Sequence, residues 1–198
     1  DSEVPGVLRA KWFERRHELH HIRRWNRSHL DELHSAWLNG TGVLVWPVVF
    51  GVWVGWNARD RAILAHMRRL YLENADHFIS ENWTPLADHP GQDAKIYASR
   101  WETKTGRLWT LANRGEDYSG PLLSIEPEQK EQGIWIDLVS GEILAAARQA
   151  DGRILISAQV DPAIRARALR AGAIAYLGKP IDDAVLHRHL VAALNRRR

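Results

Sequence analysis

All ten tryptophans of this chain fall between Trp12 and Trp135, and none follows. Indole rings are large and need either a core to fill or a flat ligand to cover. A chain that places every one of them before its last 63 residues therefore reads as two pieces of different character joined end to end. With 198 residues there is room for one large domain or two small ones with a real core. The 45% hydrophobic and 26% charged content is that of an ordinary globular chain.

The charge pattern argues against polyanion binding. A net +3 arises from 27 basic and 24 acidic residues. The one basic run, Arg196, Arg197 and Arg198, reads as a solvated end, so no nucleic-acid partner is expected. Cysteine is absent, which excludes disulfides and thiolate metal sites. The apolar stretch 43–56 is short and broken by Pro47, Gly51 and Gly55, so no membrane partner is expected. No signal peptide is visible, and the expectation is a cytoplasmic location. The chain opens at Asp1 without methionine, as a processed chain or a fragment would.

The expected fold class is α/β plus β. Residues 7–13 (VLRAKWF) read as a buried strand ending at Glu14. Residues 25–38 then read as a helix with Ser28 as N-cap, and Asn39-Gly40-Thr41-Gly42 breaks it. The continuous apolar run Val43-Leu44-Val45-Trp46 has the look of a parallel strand buried on both faces. After an aromatic loop, residues 58–79 read as one long amphipathic helix. Strand, helix, strand, helix is βαβα. Turn chemistry at 83–92 marks a linker. Strand-like segments follow at 95–101, 107–112, 121–125, 134–138 and 142–146, as in an antiparallel sandwich. From Asp151 an α/β reading returns, with a strand at 154–157, a helix at 161–171 and a closing helix at 182–194. Residues 142–149 could be half of a last sandwich hairpin or a helix leading into that strand; the helix is preferred for its alanines. The expected domains are 1–82, a linker at 83–92, 93–140 and 141–198.

Residues 11–60 resemble the closing segment of a glycoside-hydrolase (β/α)8 barrel. The resemblance rests on Lys11-Trp12-Phe13-Glu14, Asn39-Gly40, Val43-Leu44-Val45-Trp46 and Phe50-Gly51-Val52-Trp53-Val54-Gly55-Trp56. The strands from Lys95 onward, with Arg107–Arg114 and Ile134–Leu138 the most recognisable, look like the β-sandwich that often follows such barrels. The resemblance implies an oligosaccharide partner, with Trp46, Trp53 and Trp56 stacking on sugar faces, and Glu14 where a barrel carboxylate would stand. Hydrolysis needs two carboxyls roughly 5–10 Å apart. Position 47 is proline where a strand-end acid is natural, and two β/α units cannot supply what a barrel of about 250 residues does. The expectation is a fragment or fusion derived from a glycoside hydrolase, without catalysis of its own and with residual carbohydrate binding. Trp25, Trp37, Trp101, Trp109 and Trp135 are expected in cores.

Residues 151–194 resemble the second half of a response-regulator receiver domain, a flavodoxin-like fold. The matching residues are Ile154-Leu155-Ile156-Ser157, Asp161-Pro162, Arg167-Ala168-Leu169, Ala171-Gly172-Ala173, Tyr176-Leu177, Lys179-Pro180 and Asp182-Asp183. The resemblance implies that Ser157, Tyr176 and Lys179 form the switch set and leaves Asp137 as the one candidate phosphoacceptor. No acidic pair precedes it, so no cofactor is expected, and Mg2+ only if the receiver-like part were functional. The alternative function is thus a degenerate receiver module of a phosphorelay, acting through a protein partner. The cluster His17, His20 and His21 puts two imidazoles one helical turn apart, but no motif marks a third ligand and Arg15, Arg16, Arg23 and Arg24 disfavour a cation. No metal site is expected.

Overall fold

The first ordered element is set by a cation. Lys11 is 2% exposed, and its Nζ donates to the carbonyl of Gly40 at 2.9 Å. Burying that amine pulls residues Arg9–Trp12 into a 3-10 turn, with Lys11 N–H bonded to Leu8 O at 3.1 Å. The expected strand at 7–13 is therefore not formed, and Phe13 stands 90% exposed.

In the computed structural model the described residues are 3–23, 28–46, 48–53, 55–126, 134–141, 143–144 and 146–158. They make a mixed α/β chain of few helices and several small, mostly antiparallel sheets. Two compact units emerge. One comprises the described residues up to Asp88, then Ile96–Ala112, then those from Asp137 to 141. The other comprises His89–Lys95, the described residues between Asn113 and Ile136, and those from Ile143 to 158.

In the first unit, β1 is Leu19–His21, α1 is Leu30–Asn39 and β2 is Gly42–Leu44. β1 and β2 pair in parallel, Leu19 opposite Gly42 and His21 opposite Leu44. This is a parallel βαβ succession, but its first strand is not the segment 7–13 that was expected: it is a histidine-bearing segment with an exposed, half-buried, exposed pattern. The helix starts later than expected, at Leu30, and His29 rather than Ser28 occupies the N-cap position. Asp31 and Glu32 place negative charge in its first turn, where the helix dipole favours it. It stops at Gly40, in the left-handed region at φ 59°. A Cβ there would meet Phe78 Cδ1 at 2.7 Å and Trp101 Cζ2 at 3.0 Å, so both backbone and space demand glycine.

Next come β3 (Val48–Val49) and β4 (Val52–Trp53), an antiparallel hairpin turning through Phe50 and Gly51. Both turn residues have positive φ, 49° and 80°, as a two-residue primed turn requires. The long helix expected over 58–79 is two: α2 (Ala58–Glu73) and α3 (Ala75–Phe78). Asn74 interrupts them, its Nδ2 donating to Leu70 O at 2.9 Å. β5 (Asn82–Thr84) takes up the start of the expected linker, because Trp83 is 7% exposed and pairs with Trp101 across the sheet. The sheet is completed by β6 (Ile96–Thr103) and β7 (Gly106–Asn113) in the order β5-β6-β7. β7 alternates, burying Leu108, Thr110 and Ala112.

The core of this unit is a relay of rings. Trp37 stacks on Tyr71 at 5.7 Å, Tyr71 meets Phe78 edge-on at 4.5 Å, Phe78 meets Trp101 at 5.0 Å, and Trp101 stacks on Trp83 at 6.2 Å. A second cluster, Leu33, Ala36 and Met67, packs between α1 and α2.

In the second unit, β8 (Gly120–Ile125), β9 (Ala146–Arg148) and β10 (Ile154–Ala158) form a sheet in the order β8-β10-β9. β10 is antiparallel to both neighbours. This corrects two expectations. Residues 146–148 are strand, not helix, and a turn at 149–153 joins them to β10 as the last hairpin. The strand 154–157, assigned to a parallel flavodoxin-like unit, instead lies at the centre of an antiparallel sheet. The alanine helix propensity of a few tenths of a kcal/mol per residue is small beside a full ladder of backbone bonds. The helices expected at 161–171 and 182–194 lie outside the described residues.

Candidate functional site at the strand ends

Because β1 and β2 run parallel, their C-terminal ends share one edge of the sheet. The loops leaving that edge are 22–29, into α1, and 45–57, into α2. In α/β units this is the edge at which ligands are bound, since each loop can vary without disturbing the strands. The second loop carries Trp46, Trp53 and Trp56.

Two buried carboxylates hold the loops, and one of them, Asp60, ties the first loop to the second. Asp60, fully buried in the first turn of α2, accepts His29 N–H at 2.6 Å, Asn57 Nδ2 at 2.9 Å and Arg59 Nε at 3.0 Å. In return Asn57 Oδ1 caps α2 by accepting Asp60 N–H at 2.8 Å. Arg59 also reaches Ser28 Oγ at 2.7 Å. Glu32 lies one turn along α1 from His29. One of its oxygens is 3.1 Å from His29 Nδ1, and the other accepts Arg23 N–H at 2.8 Å. A buried carboxylate is tolerable when its lone pairs are filled this way. The His29 ring, 1% exposed, stacks on Trp56 at 4.5 Å with the planes 30° apart.

Trp46 is 42% exposed and Trp56 is half-buried, so the structure brings both to this edge. Trp53 is there by its backbone in β4. Glu14 is placed differently from the expectation. It follows the 3-10 turn rather than a strand, it is exposed, and its Oε1 accepts Arg16 N–H at 2.7 Å. That bond, with His17 at 3.5 Å adding to it, holds its carboxyl below the usual range. His20 and His21 lie on a strand, where neighbours face opposite ways, so the one-turn spacing expected of His17 and His21 does not arise. Burial pushes the His20 imidazole down, and the Glu32 carboxylate opposes that shift. Among the described residues no group of three or more His, Cys, Asp or Glu is placed to hold a metal ion. No helix among them is long and apolar enough to cross a membrane.

Of the receiver-like set, Tyr176 and Lys179 lie outside the described residues. Ser157 is in β10 opposite Pro121, at a break in register after Ile156. Asp137 is a turn residue: its carboxylate accepts Val139 N–H and Ser140 Oγ, both at 2.9 Å.

Lys11 sits at the opposite end of α1, 5.9 Å from the Trp83 ring centre. Burial lowers its pKa from 10.5 to about 8, against an opposing pull from Glu18. An open depression of about 460 Å³ between α3 and β6 is lined by Asp76, Glu81 and Glu102. Two of its acids are paired, Glu81 with Arg15 at 3.2 Å and Glu102 with Arg100 at 3.1 Å and Arg107 at 3.4 Å.

His29, Glu32, Asp60 and Lys11 were not among the expected site residues. The one local signal was Asn57-x-x-Asp60 before an apolar-periodic stretch, a helix-start pattern. Compared with family models, curated proteins and solved structures, the chain matches none.

Proposed function

We propose that the chain derives from the closing segment of a glycoside-hydrolase-like (β/α)8 barrel with its following β-domain. On this reading it binds oligosaccharide at the strand-end edge and does not hydrolyse it alone. The observation that carries the reading is the parallel β1–α1–β2 succession, whose second loop brings Trp46, 42% exposed, and the half-buried Trp56 to the edge. Indole faces match the apolar faces of pyranose rings. The two buried acids of that edge support binding over catalysis, because Glu32 and Asp60 are occupied by bonds that hold the loops.

Titration of the intact chain with maltohexaose, cellohexaose and xylohexaose, followed by tryptophan fluorescence, tests this. The expected result is a saturable change with at least one sugar below millimolar concentration, weakened in Trp56→Ala and lost in the double variant Trp46→Ala, Trp56→Ala. A flat response to all three sinks the proposal.

A further inference from the structure

We infer that His29, held by Glu32, is the positioning residue of the strand-end platform: its ring backs Trp56 and fixes the indole in the orientation that receives a pyranose. The inference rests on the carbohydrate reading above.

His29 is a costly choice for its place. A buried imidazole must find a polar partner, and an aliphatic side chain would fill the same space without that demand. The partner is supplied from one turn along α1, Glu32 Oε2 at 3.1 Å. Glu32 in turn needs a second donor and takes it from Arg23, in the loop leaving β1. Two residues, Glu32 and Arg23, thus maintain one ring. That ring also stacks on Trp56, at 4.5 Å with the planes 30° apart.

Trp56 is held from a second direction. It immediately precedes Asn57, whose side chain exchanges bonds with Asp60 at 2.8 and 2.9 Å. Asp60 also accepts the backbone N–H of His29 at 2.6 Å, so the residue that backs the indole and the residue that follows it share one anchor. The indole is therefore set before ligand arrives, and binding need not immobilise it. Trp46 keeps more exposure, at 42%.

The test separates the ring from its hydrogen bond. His29→Gln keeps a polar partner for Glu32 and removes the ring, whereas His29→Phe keeps a ring and removes the partner. Calorimetric titration with the same three hexasaccharides is expected to show His29→Gln weakening binding about tenfold and His29→Phe staying within about threefold of wild type. Added to Trp56→Ala, His29→Gln is expected to cause no further loss, since the platform it serves is gone. A folded His29→Gln that binds as wild type overturns the inference while leaving the carbohydrate reading intact. So does a His29→Gln effect that persists in full on Trp56→Ala, which would mark a general loss of fold. If wild type binds none of the sugars, both fall together.

Discussion

The two units solve the problem of a core in different ways. The first packs rings: Trp37, Tyr71, Phe78, Trp101 and Trp83 touch in sequence, with Leu33, Ala36 and Met67 beside them. In the second, the buried hydrophobics among the described residues are the aliphatics Leu123, Ile125, Ile154 and Ile156, all from one antiparallel pair. Rings bury more area each and constrain one another's angles, so a few contacts specify geometry. Aliphatic strands reach stability through register instead, each residue opposite its partner. The difference teaches where function can be built: the ring-packed unit also carries the polar ties of the strand-end edge.

The comparison is most easily broken at Trp101, whose side chain is fully buried between Phe78 and Trp83. Trp101→Ala is expected to cost about 3–5 kcal/mol in urea unfolding and to remove most near-UV dichroism. A loss under 1 kcal/mol would show that the ring relay is not what holds the first unit. Ile156→Ala, in the second unit, is expected to cost about 2–4 kcal/mol. Hydrogen exchange of β8 and β10 amides should accelerate with it, while unaltered protection would deny the pair its role as the core.

Lys11 sharpens the account of the first unit through pH. Its folded-state pKa, about 8, lies below the unfolded value of 10.5, so the unfolded chain holds more proton between them. Stability should therefore rise as pH climbs from about 8 to 10.5, by on the order of 3 kcal/mol if the burial is complete. Lys11→Met is expected to abolish that rise in pH-dependent unfolding. A variant with the same slope would assign the effect to other groups. The smallest effect is expected at Phe50, a non-glycine residue at φ 49° and 89% exposed. Phe50→Asn creates an Asn-Gly turn and should stabilise by about 0.5–1 kcal/mol in thermal unfolding. A lower Tm would mean that the ring has a contact worth more than its strain.

These contrasts also explain what could be read from residue order. The strands β6, β7, β8 and β10 were legible because apolar and polar residues alternate or run together at strand length. The helices α1 and α2 were legible from their spacing, with their ends less so. Asn74 ends α2 by a side-chain bond to Leu70, which no pattern announces. β1 escaped because pairing with β2 is a backbone matter, and Leu19-His20-His21 carries no apolar run. The strand expected at 7–13 failed for the opposite reason: a lysine inside an apolar stretch was buried rather than lifted out. Residues 146–148 were misread because alanine favours a helix in isolation, whereas β10 offered a ladder. At the site, Trp46 was visible at the end of an apolar run and Trp56 as an aromatic in a Gly-rich loop. Their supports were not, since His29 reaches Asp60 across thirty-one positions and such pairings exist only once the chain is folded.

The most direct test is the proton–nitrogen NMR spectrum of the tryptophan indoles, with each assigned by single substitution and then followed during hexasaccharide titration. The account predicts that the Trp46 and Trp56 signals move with ligand while those of Trp83, Trp101 and Trp109 stay in place. Signals that move throughout the ring-packed core, or that never move at Trp46 and Trp56 while binding proceeds, would contradict it.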